Sequence, residues 1–219
     1  QRLRRGGAAL RGHGPHGGDL TAAQRANGWL RRVPAPLVYL AGLLYAAWLF
    51  WRALSGASVE PVNWLERAYG LTALRLLVAT LLVTPLRRWT GVSLLRFRRA
   101  LGLTCFGFVV AHVAVWALLD VRSLGAVWAD IVKRPYITVG MAALLLLLPL
   151  ALTSNDASLR RLGAAAWRRL HWLTYPAAVL GAIHFIWLQR AFAIQPLVYL
   201  AIILLLLATR LPWRRPTLA

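Results

Sequence analysis

Three histidines stand inside apolar runs of this 219-residue chain, and imidazole in such surroundings narrows the chemistry at once. His112 lies in "RRALGLTCFGFVVAHVAVWALLD", while His171 and His184 fall near the two ends of "LHWLTYPAAVLGAIHFIWL". A neutral imidazole can relay a proton, accept a hydrogen bond or bind a metal, and two of them on opposite sides of an iron hold a b-type haem. Inside hydrocarbon an ionisable side chain is costly and most often faces an interior functional path. Cys105 is the single cysteine, so these residues form neither an internal disulfide nor an all-cysteine metal or iron–sulfur site.

The elements that would position those histidines follow from composition. Hydrophobic residues make up 59% of the chain and charged ones 15%, too apolar for one soluble domain of this length. Runs near the ~20 residues needed to cross a bilayer fall at 34–54, 67–86, 100–119, 135–153, 171–189 and 196–211, the last being short. This predicts an all-α membrane protein, a six-transmembrane-helix bundle over residues 34–211. Residues 1–33, rich in glycine and arginine and without an apolar core, read as a flexible basic cytoplasmic tail rather than a cleavable signal, and 212–219 as a short cytoplasmic tail.

The net charge of +20 is not spread evenly. Arginines cluster before the first run, at Arg87, Arg88, Arg96, Arg98 and Arg99, at Arg160, Arg161, Arg168 and Arg169, and at Arg210, Arg214 and Arg215. Glu60, Glu66, Asp120 and Asp130 occupy the alternate loops. Basic short loops stay in the cytoplasm, so both termini are expected there. Arginines grouped between apolar runs, rather than interleaved with aromatics on a soluble face, argue against a nucleic-acid partner and for the lipid bilayer. Trp51, Trp64, Trp116, Trp128 and Trp187 fall near the outer ends of the runs and Trp89, Trp167, Trp172 and Trp213 near the inner ends, as an interfacial aromatic belt requires.

Depth can then be assigned. His112 lies about 18 Å along the third run and His184 about 20 Å along the fifth, at 1.5 Å per residue, and both runs point outward. The two imidazoles are therefore level, in the outer half of the bilayer, where they could grip a flat macrocycle from both faces. His171 sits at the inner boundary, where an interfacial histidine is cheap, and thirteen helical steps place it off the face of His184 unless Pro176 bends the helix. Arg75, eight residues past the outer start of the second run, is deep enough to need a partner that a haem propionate would supply, or else it snorkels to the outer interface. Gly107, Ala111, Ala177, Ala178 and Gly181 leave room for a macrocycle or for close helix packing. His13 and His16 read as solvated tail.

The segments "YGLTALRLLVATLLVTPLRR", "RRALGLTCFGFVVAHVAVWALLD", "KRPYITVGMAALLLLLPLALTS" and "RLHWLTYPAAVLGAIHFIW", in this order, resemble the MsrQ family, haem-binding membrane subunits related to transmembrane ferric reductases and NADPH oxidases. The resemblance runs from about residue 34 to 211 and implies a bundle of the ferric reductase-like type in the bacterial inner membrane. Its haem histidines would fall on His112, His171 and His184. It implies an electron-transfer subunit of an oxidoreductase, passing electrons through haem b from a cytoplasmic flavin reductase or the quinone pool. The recipient would be a periplasmic molybdopterin-containing subunit that reduces methionine sulfoxide in proteins. FMN is also associated with the family, although no phosphate-binding loop is visible.

One departure stands out. The oxidase relatives place two histidines on each of two helices, whereas here Arg98 and Arg99 stand fourteen and thirteen residues before His112. Either the outer haem alone is present, or a second uses His171 with a shared or unconventional partner. The two arginines would suit haem propionates or a flavin phosphate. A standalone haem reductase of ferric iron, quinone or oxygen, and a haem-free channel, transporter or assembly factor, are the competing readings.

Overall fold

The computed structural model describes residues 21–56, 58–189 and 193–210, and within them the chain is helical. The six apolar runs of the sequence coincide with α2 (Pro36–Leu54), α3 (Pro61–Thr90), α4 (Arg98–Ala114), α6 (Pro135–Leu152), α8 (Thr174–Trp187) and α9 (Ile194–Ala208). Helix α4 is entered through a 3₁₀ turn at Leu95–Phe97 and continues as a π-helical segment, Val115–Val121. Four of these helices, α2, α3, α4 with its flanking turns, and α6, are long and apolar enough to cross a membrane, whereas α8 and α9, with 14 and 15 residues, are shorter. The fifth run loses its first turn to a 3₁₀ turn at His171–Leu173. Pro176 follows in the first turn of α8, where a missing N–H breaks no helical bond, so the 3₁₀ turn and not a proline kink separates His171 from His184.

Packing is consistent with a bilayer as solvent. Helix α3 is the central element: Leu65, Leu81 and Val83 on it are almost wholly covered. It packs against α2, α4, α8 and α9, and α6 packs against α4 and α8. Leu77, Leu81, Cys105, Leu147, Ala178 and Ile203 form one buried cluster, and Leu49, Leu65, Tyr69, Ala73 and Phe108 another. The outer surface is apolar as well: Leu40, Leu43, Leu44 and Trp51 of α2 and Leu145 of α6 are half or more exposed. Such a surface would be an aggregation hazard in water and is at home in lipid.

Three polar or amphipathic helices lie outside the apolar set. Residues 22–32, expected as part of a flexible tail, form α1 (Ala22–Arg32), begun by a capping box in which Thr21 and Gln24 satisfy each other's backbone N–H groups. Asn27 pins α1 to the α3–α4 turn by donating to the Gly91 carbonyl at 2.9 Å and accepting from the Ser93 N–H at 2.8 Å. The remainder of the two expected tails, with His13, His16 and Trp213, lies outside the described residues. Helix α5 (Leu124–Lys133) presents Leu124, Trp128 and Val132, all strongly exposed, at four-residue steps along one face, the pattern of a helix lying in an interface. Helix α7 (Asp156–Leu170) carries Arg160, Arg161, Arg168 and Arg169 and is broken at Gly163, whose φ of 74° suits glycine.

Candidate haem site

His112 on α4 and His184 on α8 come together, with ring centres 6.2 Å apart and ring planes at 74°. Each ring is anchored in the same way. Nδ1 of His112 lies 2.9 Å from the carbonyl oxygen of Glu66, and Nδ1 of His184 lies 2.7 Å from that of Tyr136. A carbonyl can only accept, so both Nδ1 atoms carry the proton and both Nε2 atoms keep their lone pair in the neutral ring. That is the tautomer a metal-binding histidine needs, with its second nitrogen tied to an oxygen that fixes the ring.

Glycine makes both anchors accessible. Glu66 and Gly70 are four residues apart on α3, and Tyr136 and Gly140 four apart on α6, so each glycine lies one turn beyond the carbonyl on the same face. A Cβ on Gly70 would stand 3.1 Å from Nδ1 of His112, and one on Gly140 2.8 Å from Nδ1 of His184. A side chain at Gly140 would push the His184 imidazole off its carbonyl, and one at Gly70 would force the His112 ring to give by a few tenths of an ångström. The two halves of the site are thus one device used twice, a glycine-bearing helix backing a histidine-bearing helix.

The dimensions suit a metal between the rings. A metal–imidazole nitrogen bond of about 2 Å on each side puts the centres of two facing imidazoles about 6.4 Å apart. The observed 6.2 Å is close to that separation. Among the described residues no group of three or more His, Cys, Asp or Glu side chains converges as a bare-metal site, so a two-histidine grip is what this position offers. The π-helical segment begins three residues after His112. Such insertions recur at functional sites.

The other residues singled out from sequence divide. Arg75 donates from Nε to the Tyr199 hydroxyl of α9 at 3.0 Å, a neutral partner, and its guanidinium is exposed. Ala177 and Ala178 are fully buried in helix packing, while Gly107 faces open space. His171 is about 20 Å along the helix from His184 and does not join the pair. It lines a cavity of about 370 Å³ at the arginine-rich end, together with Arg98, Arg99, Trp167, Trp172 and Arg210. There the His171 ring stacks on Trp167, with centres 3.7 Å apart, and its Nδ1 donates to the Trp167 carbonyl at 3.0 Å. Arg98 is half-buried in this cavity, but Arg99 is turned outward and paired with Asp156 at 2.7 Å. The hydrogen bond from Arg99 holds the Asp156 carboxyl below the usual carboxylate range. Two tryptophans depart from the belt: Trp116 is 8% exposed, and Trp167 donates its indole N–H to the Thr153 carbonyl at 2.8 Å.

Sequence reasoning passed over Gly70, Gly140 and Arg210. The glycines did carry a signal, each standing inside an apolar helix, Gly140 near the start of α6 and Gly70 further along α3. What it lacked was knowledge of which distant imidazole arrives there.

Comparison with known proteins agrees with this geometry. A profile described as the ferric reductase like transmembrane component matches residues 69–182. The chain is 46% identical over 177 residues to a protein of Brucella anthropi named protein-methionine-sulfoxide reductase heme-binding subunit MsrQ, with 80% of each chain covered. Proteins of the same name from Brucella ovis and Brucella canis match to the same extent. With this identity over most of its length, the chain belongs to the MsrQ family of ferric reductase-like transmembrane proteins.

Proposed function

We propose that this chain binds haem b between His112 and His184 and carries electrons across the bacterial inner membrane to a methionine sulfoxide reductase partner. The observation that carries the reading is the 6.2 Å spacing of the two rings with both Nδ1 atoms tied back to carbonyls. Haem b, when bound, supplies a one-electron relay. The protein's part is to present two Nε2 lone pairs, hold the rings against Gly70 and Gly140, and keep water out with apolar helices. Arg75, exposed beside the Tyr199 hydroxyl, is a candidate for a propionate.

The alternation of basic and acidic loops supports cytoplasmic termini, with electrons entering at the arginine-rich end and leaving at the end that bears Glu60, Glu66, Asp120 and Asp130. The donor in this reading is a cytoplasmic flavin reductase or the quinone pool. The acceptor is a periplasmic molybdopterin-containing subunit, in keeping with the reductase system named for the relatives. His171 and Arg98, around the inner cavity, are the residues that a second haem or an FMN would meet.

The test is to reduce the purified protein anaerobically, mix it with the oxidised periplasmic partner in a stopped-flow cell, and follow the haem band. Reoxidation accelerated by the partner, and absent in His112→Ala, is expected. Reoxidation no faster with the partner, but rapid with ferric chelates or quinones, would replace this reading with that of a standalone reductase.

A further inference from the structure

A separate polar cavity, of about 370 Å³, lies between α1 and the turn that joins α3 to α4, and Asn27, Arg31, Arg87, Ser93 and Arg96 line it. Two of these residues build it. Asn27 ties α1 to the turn through Gly91 and Ser93. Arg96 reaches across from the 3₁₀ turn and donates from Nη1 to the carbonyls of Leu30, at 3.0 Å, and Arg31. Those oxygens belong to the last turn of α1, where a helix leaves carbonyls unpaired and carries partial negative charge, so a cation is stabilising there. With Arg96 engaged in holding the helix end, Arg31 and Arg87 remain on the cavity wall with no such task.

Three guanidiniums around one cavity repel one another unless an anion joins them. No described carboxylate does so. The described ion pairs, Arg99–Asp156 and Arg134–Asp130, include none of the three. Glu60, Glu66, Asp120 and Asp130 belong to the opposite loops, and Asp19 lies outside the described residues.

Depth identifies the source of the anion. Arg87 stands directly after the apolar stretch of α3, and α1 ends four residues before α2 begins, so both walls of the cavity lie where the bundle leaves hydrocarbon. Trp29 on α1 and Trp89 in the last turn of α3 are 66% and 61% exposed, as tryptophans at headgroup level are. The anions concentrated at that level are lipid phosphates, which basic side chains beside a membrane helix attract.

We propose that Arg31 and Arg87 bind the phosphate of an anionic membrane lipid in the cavity between α1 and the α3–α4 turn. Asn27 and Arg96 are the positioning residues, because they fix the end of α1 against the turn and so hold Arg31 and Arg87 on one cavity. The lipid completes the clamp that those hydrogen bonds begin. This site needs the bilayer and not the haem.

The test uses the full chain in non-ionic detergent near physiological ionic strength, titrated with phosphatidylglycerol against phosphatidylcholine of the same acyl chains. Lipid adducts are counted by native mass spectrometry. The first phosphatidylglycerol should bind about tenfold or more tightly than phosphatidylcholine. Arg31→Ala and Arg87→Ala should each cut that preference about fivefold, the usual worth of one basic side chain at an anionic surface. Arg32→Ala removes the same charge from a neighbouring position outside the cavity and should change the preference by less than about twofold, since salt screens a charge that makes no contact. Asn27→Ala removes no charge, yet by releasing α1 it should lower the preference about as much as Arg31→Ala. Helical circular dichroism should be the same throughout. Should Arg87→Ala fail to fold, the other three variants carry the test. Equal affinity for the two lipids, equal losses in Arg31→Ala and Arg32→Ala, or an undiminished preference in Asn27→Ala overturns the proposal. Displacement of the lipid by millimolar inorganic phosphate would assign the cavity to a soluble anion and overturn it as well.

Discussion

Gly140 is so close to His184 that a Cβ on it would stand 2.8 Å from the imidazole Nδ1, closer than side chains tolerate. The equivalent approach of Gly70 to His112 is 3.1 Å, where a small shift relieves the contact. Gly140→Ala should therefore weaken haem retention by about ten- to hundredfold, the usual cost of disturbing a ligand's anchoring partner, and Gly70→Ala by less. Haem-to-protein ratios after dialysis against a haem scavenger measure both. Equal retention in the two variants would contradict the steric account.

The near-perpendicular rings make a spectroscopic prediction. With ligand planes at 74°, the oxidised protein should show the strongly anisotropic low-spin electron paramagnetic resonance signal of crossed imidazoles rather than the rhombic signal of parallel ones. His112→Ala and His184→Ala should abolish it, whereas His13→Ala and His16→Ala should leave it in place. A rhombic wild-type spectrum would show that the rings rotate when haem enters.

His171 should behave differently from the other two. It lies about 20 Å along the helix from His184, so His171→Ala should retain the crossed-imidazole signal. Any loss should be confined to a second cofactor, counted as the fall in total haem or flavin per protein. Disappearance of the crossed signal in this variant would mean that His171 is an axial ligand of the same haem.

Reporter fusions can settle the orientation. Asp130 belongs to α5 at the acid-bearing end and Ser158 to α7 at the arginine-rich end, so alkaline phosphatase fused after Asp130 should be active and after Ser158 inactive. Activity at both sites would break the six-crossing frame.

The Arg99–Asp156 contact adds a dependence on pH. The hydrogen bond from Arg99 depresses the carboxyl's pKa in the folded protein. Its contribution is therefore present above the ordinary carboxylate range and is lost as pH falls through the depressed value. Both side chains are largely exposed, so the effect is local. Amide exchange in the first turn of α7 should quicken on acidification in the wild type, and Asp156→Asn should show the faster exchange already at neutral pH.

Much of the frame was legible because a bilayer writes its thickness into the chain. The six apolar runs matched helices closely, and His112 and His184 could be set level by rise alone. Helices α1, α5 and α7 were not anticipated, since their stability depends on a cap at Thr21, on an interface for Leu124, Trp128 and Val132, and on a break at Gly163. Trp116 and Trp167 looked like interfacial anchors from their position, yet one is packed inside and the other is stacked on His171. Arg210 was hidden among arginines whose number alone explained topology. What distinguishes it is its return to Leu81 and Tyr175, a tertiary fact that local composition does not encode.

The duplicated glycine–histidine device also bears on how the protein holds together. Helix α4 packs on α2, α3 and α6, while α8 packs on α3, α6 and α9, so the two histidine-bearing helices rely largely on intermediaries for their alignment. A ligand bound by both Nε2 atoms would tie α4 to α8 directly and would favour the folded over the unfolded chain by its own binding free energy. The cofactor would then serve as a cross-brace as well as a conductor. Haem supply during biosynthesis would set how much of the protein survives in the membrane, independently of any electron it later carries.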